Sequence, residues 1–150
     1  MKSMNAITMK WFLLMIPATI LLSCKKEKSE SESKCNIDVA SLSGTYKVTS
    51  LKYTSKPDAT PVDFMEFMEA CEKDDIITLK KDGTYEYFDL GVTCSPNGSD
   101  KGTWELNGKT LISDGKLNGT VSSFDCKTLV YYVENSLVSG DKFVFTMVRQ

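Results

Sequence analysis

The sequence has no histidine among its 150 residues. That absence removes Ser-His-Asp and Cys-His nucleophiles, haem ligation through imidazole and every zinc site that needs a His ligand. There is no surplus of positive charge either: 18 Lys and Arg against 20 Asp and Glu leave −2. Nucleic-acid binders need a basic face, so that class is set aside. The longest mostly apolar run, Trp11 to Leu22, has twelve residues and contains Pro17, whereas a membrane-spanning helix needs about 20. No Cys-x-x-Cys occurs, which argues against a metal site built on the cysteines. What is present, 41% hydrophobic and 25% charged residues, suits one globular domain.

Residues 1–23 read as a secretory signal: Lys2 and Lys10 supply the positive end and Trp11 to Leu22 the short apolar core. Leu21-Leu22-Ser23-Cys24 resembles the bacterial lipobox, in which the cysteine is acylated and becomes the mature N-terminus. Two or three acyl chains (palmitate among them) on Cys24 would hold the protein firmly, because one chain alone holds it marginally. No Asp follows Cys24, so the familiar inner-membrane retention signal is missing. The expected location is the cell envelope, lipid-anchored to the outer membrane on either face. Residues 25–34 contain no apolar side chain and cannot offset the entropy of ordering, so 24–40 reads as lipidated cysteine plus flexible tether and 41–150 as the folded domain.

Four cysteines remain: Cys35, Cys71, Cys94 and Cys126. In an exported chain they imply two disulfides, with three connectivities. The turn around Asp82-Gly83 chooses among them. A three-residue loop with Gly83 in the left-handed region pairs residues whose numbers sum to about 164. Cys71 and Cys94 fall opposite one another to within a residue, which leaves Cys35 with Cys126.

Turn dipeptides recur along the domain: Asp82-Gly83, Asn97-Gly98, Asn107-Gly108, Asp114-Gly115, Asn118-Gly119 and Ser139-Gly140. Between them lie short β-rich runs, the pattern of an antiparallel all-β fold. Eight strands are predicted, at about 44–53, 75–80, 84–90, 101–106, 109–113, 119–124, 127–134 and 142–149. One segment differs. From Thr60 to Cys71 a capping residue, Pro61 and an acidic turn precede a stripe of Phe64, Phe67, Met68 and Cys71, which predicts a three-turn amphipathic α-helix between strands 1 and 2. It is expected either to plug one end of the fold or to act as a lid.

The chain also resembles the lipocalin-like domains of small bacterial outer-membrane lipoproteins. The resemblance rests on Leu42-Ser43-Gly44-Thr45-Tyr46, similar to the G-x-W opening with Tyr for Trp. It continues through Cys71-Glu72-Lys73-Asp74-Asp75 leading into Ile77-Thr78-Leu79, then Asp82-Gly83-Thr84-Tyr85, Cys94 and Gly102-Thr103-Trp104. It covers about residues 41–150 and lacks the long final helix of animal lipocalins. It implies an eight-stranded up-and-down antiparallel barrel, which either holds one small ligand or is filled by its own side chains.

Tyr85, Tyr87, Trp104, Tyr131, Phe143 and Phe145 are the residues expected to line such a pocket, aromatic rings with polar tips. Asp74 and Asp75 with Asp89 offer carboxylates for Ca²⁺ but no ligand loop of known spacing. No metal, cofactor or catalytic pairing is expected. Two roles follow: a tethered module that binds a small apolar or amphipathic molecule, or a filled barrel that presents loops to another envelope protein. Cys24→Ser should leave the protein without acyl chains and outside the membrane fraction, which mass spectrometry and fractionation will show.

Overall fold

The computed structural model describes residues 35–150; the signal segment, Cys24 and the tether over 25–34 lie outside the described residues. Nine strands form a single antiparallel sheet: β1 Gly44–Thr54, β2 Val62–Asp63, β3 Ile76–Leu79, β4 Thr84–Phe88, β5 Asp100–Asn107, β6 Thr110–Ser113, β7 Leu117–Phe124, β8 Thr128–Glu134 and β9 Lys142–Arg149. Consecutive strands from β3 onward pair in order, β1 pairs with β3, and β9 returns to β1. Eight strands thus close an up-and-down barrel, and β2 is a two-residue addition to the far half of β1.

Local chemistry sets the register. Gly83 takes φ +83°, as the turn requires, and Asp82 accepts from the N–H and the hydroxyl of Thr84. Leu79 then lies opposite Tyr85, and Ile77 opposite Tyr87, the pairing expected from sequence. Two bulges complicate the alternation. The β1–β9 register shifts between Val48 and Ser50, and the β7–β8 register between Val121 and Ser123. Each extra residue flips the parity of the strand beyond it, so Tyr46 and Val48 share the inner face with Leu51 and Tyr53.

Antiparallel order gathers the connections at two ends. The tight turns at 80–83, 107–109 and 125–127 join the chain start at one end, which is closed. A short helix α1, Val39–Leu42, lies there, capped by the Asp38 carboxylate on the Ser41 N–H. Leu42 and Tyr46 are fully buried beside Leu129, Val121 and Trp104, and the Trp104 indole donates to the Lys80 carbonyl at 2.8 Å. Arg149 knits this end together: its guanidinium donates to the carbonyls of Ser41 and Ser43 and to the Tyr46 hydroxyl. It also lies over the Tyr46 and Phe124 rings, at 5.3 and 5.4 Å.

Both expected disulfides form, Cys35–Cys126 and Cys71–Cys94, each with Cα atoms 5.2 Å apart. The second is not a rung of the ladder. Pairing of β3 with β4 stops at Ile76 and Phe88, and the bond joins the two loops beyond. Bridges of this kind contribute about 2–4 kcal/mol.

The segment from Thr60 to Cys71 corrects the sequence expectation. In place of a three-turn α-helix it holds β2 and two separate 3-10 turns, Phe64–Phe67 and Ala70–Glu72. Met68, extended at φ −77° and ψ +145°, divides them. An isolated helix of this length is marginal in water, and tertiary ties override it. Val62 and Asp63 pair with Tyr53 and Lys52, the Phe64 ring is drawn onto Tyr53 and Phe143, and Cys71 is tethered to Cys94. The apolar stripe is split as well: Phe64 turns to the barrel while Phe67 stays 68% exposed.

Replacing Arg149 with Met should strand three acceptors at the closed end, each worth roughly 1–3 kcal/mol when left unpaired. The urea midpoint of the oxidised protein should fall accordingly, with Arg149→Lys intermediate.

Candidate functional site

The other end of the barrel opens. Its loops are 55–75, 89–99, 114–116 and 135–141, and between them lies an apolar cup of about 330 Å³. Leu51, Val133, Phe143 and Phe145 form its wall, while Phe64, Leu117 and Leu137 stand at its mouth. Ser136 is the single polar side chain of the lining. Leu51 belongs here only because of the bulge in β1; without it that side chain would face outward.

Aromatic rings run without a break from the mouth into the interior. Phe67 and Phe64 have centroids 5.7 Å apart, Phe64 and Phe143 5.2 Å, and Phe143 and Phe145 6.2 Å. Phe145 then stacks on Tyr131 at 4.7 Å with planes 5° apart. Tyr53 flanks the series, 4.7 Å from Phe143. These centroid separations match the 4.5–7 Å range in which aromatic pairs attract beyond their buried area.

The six aromatic residues expected to line a pocket fall into two groups. Phe143 and Phe145 line the cup, and Tyr131 lies one rung deeper, its ring close against Gly119. A Cβ on that glycine would come within 2.9 Å of the Tyr131 ring. Tyr85, Tyr87 and Trp104 occupy a different part of the wall, outside the cup lining, with their polar tips engaged. Trp104 is 3% exposed in the closed-end core. The Tyr85 hydroxyl donates to Asp114 at 2.7 Å, and that bond, with burial, pushes its pKa up to about 12. The Tyr87 hydroxyl donates to Asp75 at 2.8 Å; burial first and then this bond hold its pKa well above the ordinary phenol value. Sequence reasoning did not place Leu51, Leu117, Val133, Ser136 or Leu137 at a site. Leu51 was hidden by the parity flip, and Leu117, Ser136 and Leu137 sit at or beyond strand ends, where alternation gives no signal.

Asp74, Asp75 and Asp89 all serve the 89–99 loop. Asp75 accepts from the Leu90 N–H, Asp74 from Val92, and Asp89 from Cys94 and Gly98. Among the described residues no three ligand-type side chains are grouped to hold a metal ion. A second cleft, about 370 Å³, lies beside the Cys35–Cys126 bond and is lined by Lys109, Ser122, Ser123, Asp125 and Thr128 with a few apolar neighbours. It is larger than the cup but carries many more polar groups in its lining, so the cup is the stronger binding candidate.

The 135–141 loop beside the cup is organised by one carboxylate. Asp141, 1% exposed, accepts from the N–H groups of Ser136, Leu137 and Val138 at 2.7–3.0 Å, and the Tyr53 hydroxyl approaches at 3.5 Å. Burial raises its pKa, but the three backbone donors outweigh that and leave the carboxyl below the usual range.

An up-and-down barrel, closed at one end and opening at the other onto an apolar cup, is the architecture of single-ligand binding barrels. Residues 42–145, more than two thirds of the chain, match the family model described as the lipocalin-like domain, and the chain belongs to that family. Comparison with curated proteins returned no match.

Because the folded pKa of Asp141 is depressed, its contribution to stability is full above the ordinary carboxyl value near 3.9. It is lost as pH falls below that value and through the folded pKa. Hydrogen exchange at Ser136, Leu137 and Val138, corrected for its intrinsic pH dependence, should therefore accelerate below about pH 4. In Asp141→Asn it should already be fast at pH 7 and lose that acid dependence.

Proposed function

We propose that the protein is a membrane-anchored binding module that takes a small apolar or amphipathic molecule into the open end of its barrel. The cup carries this reading: an apolar recess of about 330 Å³ walled by Phe143, Phe145, Leu51 and Val133, at the lower edge of the volumes that ligand sites occupy. The role is binding rather than catalysis: the lining offers Ser136 alone as a polar side chain, and the neighbouring Asp141 carboxylate is committed to three backbone N–H groups. The anchor is the acylated Cys24, in the outer membrane.

One observation favours a second reading. Among the described residues, the large apolar side chains left exposed, among them Phe67, Leu90, Val92, Leu137 and Val138, lie toward the open end. A rim of that kind suits contact with another envelope component, with the barrel acting as an interaction module.

An apolar fluorescent probe separates the two. The wild type should bind it saturably, and Phe145→Ala should weaken binding about tenfold while costing less than the roughly 3–5 kcal/mol of a well-packed Phe truncation. No saturable binding by the wild type, together with a full core penalty in the variant, would move the assignment to the interaction module.

A further inference from the structure

We propose that the apolar rim of the open end docks on a bilayer of neutral lipid, mouth down, so that the cup opens onto the leaflet rather than onto water. This rests on the lipid-anchored reading and names what covers the rim.

Three loops build the rim, and they meet at the cup. Phe64, Leu117 and Leu137 share its lining; Phe67 packs beside Phe64 with centroids 5.7 Å apart, and Val138 follows Leu137. Contacts behind these side chains hold them in place. Phe64 leans on Tyr53 and Phe143, and the Asp141 carboxylate fixes the backbone of Ser136, Leu137 and Val138. Their outer faces stay bare all the same: Phe67 is 68% exposed, Leu137 65%, Val138 53% and Leu117 45%. Apolar side chains gathered round one opening mark a surface that is covered in use.

Shape and chain length favour a leaflet as the cover. The apolar tips surround a recess instead of forming a level face, and fluid lipid conforms to that contour where a folded partner would need a matching plug. The chain enters the barrel at the opposite, closed end, where Cys35 is bonded to Cys126. Strand β1 has eleven residues; at about 3.3 Å per residue and a barrel tilt of about 40° it spans a height of roughly 28 Å. Extended, the eleven residue steps from Cys24 to Cys35 reach about 36–40 Å. That length lets the link run past the barrel and set the mouth on the membrane that holds the acyl chains. Confinement there raises the effective concentration to about the millimolar range, where weak contacts are populated.

Charge specifies the lipid. The loops of this end, 55–75, 89–99, 114–116 and 135–141, carry ten carboxylates and three lysines. An anionic headgroup layer repels such a surface, so the docking is apolar in origin and favours neutral headgroups. Glu66, exposed beside Phe67, stays among the headgroups and limits insertion to the apolar tips.

The test places a tryptophan at either end of the full acylated protein, Phe67→Trp at the rim and Lys81→Trp at the closed end, both exposed positions. Each variant is reconstituted in phosphatidylcholine vesicles whose acyl chains carry bromine, a contact quencher, and the wild-type signal is subtracted. Phe67→Trp should be quenched about fivefold more than Lys81→Trp, since only the rim reaches the acyl boundary. Adding phosphatidylglycerol should weaken that quenching, and high salt should restore it. Equal quenching at the two ends, or none, would overturn the docking. Stronger quenching on the anionic vesicles would overturn the preference for neutral lipid. A blue shift of the Phe67→Trp emission that grows with protein density and comes without quenching would mean that a second copy covers the rim, and would overturn lipid as the occupant. Mass spectrometry of the same samples reads the anchor separately. If Cys24 carries no acyl chain the anchored reading fails, while quenching of Phe67→Trp by added vesicles still decides the docking: present, it supports it; absent, it overturns it.

Discussion

Closure of the sheet through β1 and β9 is the constraint on which the rest depends. Eight rungs join these strands, so every strand of the barrel has two neighbours and no long edge is left with unpaired backbone groups. Closure also fixes the interior volume. Eight strands enclose space that side chains can fill or leave just wide enough for one small guest, and here the two outcomes divide along the axis. Toward α1, Trp104, Tyr46, Phe124 and Leu129 fill the barrel. Toward the mouth the walls formed by Leu51, Val133, Phe143 and Phe145 leave the cup of about 330 Å³ between them.

The two bulges make that division workable. A strand with uninterrupted alternation would present Tyr46 and Val48 inward at one end and turn Leu51 and Tyr53 outward at the other. One extra residue in β1 lets a single strand serve both the packed half and the cup. The same device in β7 brings both Val121 and Phe124 inside. Irregularity in the backbone is therefore what keeps the inner surface continuous, and the added twist helps the sheet to curl.

Much of this was legible in the sequence. Asp82-Gly83, Asn107-Gly108, Asp114-Gly115 and Ser139-Gly140 marked turns, with positive φ at each glycine, whereas Asn118-Gly119 was misread and lies inside β7; the Asp82-Gly83 turn gave a register that brought Cys71 near Cys94 and, by elimination, left Cys35 with Cys126. Phe143 and Phe145 were visible as inward positions because β9 alternates without a break. The Thr60–Cys71 segment was misread as an α-helix because its capping residue and apolar stripe are local signals. What unwound it was distant: a β-bridge to Tyr53, an aromatic cluster with Phe143 and a covalent bond to Cys94. The cup escaped notice for a related reason. Phe64, Leu117, Ser136 and Leu137 reach it from loops or strand ends, where no period marks the inner face, and Leu51 reaches it through a bulge that no residue type announces.

The Cys35–Cys126 bond has a mechanical meaning as well as a thermodynamic one. It sits at the point where the chain enters the domain and ties that point to the β7–β8 turn, 91 residues further on. Tension applied upstream of Cys35 is divided there. The covalent route delivers it to the turn joining two long paired strands, so α1 and β1 are not the only elements that take the load. Peeling β1 would open the seam with β9 and destroy the cup; the bond makes the β7–β8 pair share that load. A pull on the chain ahead of Cys35 therefore enters the barrel at two places on its closed end, away from the loops that frame the cup.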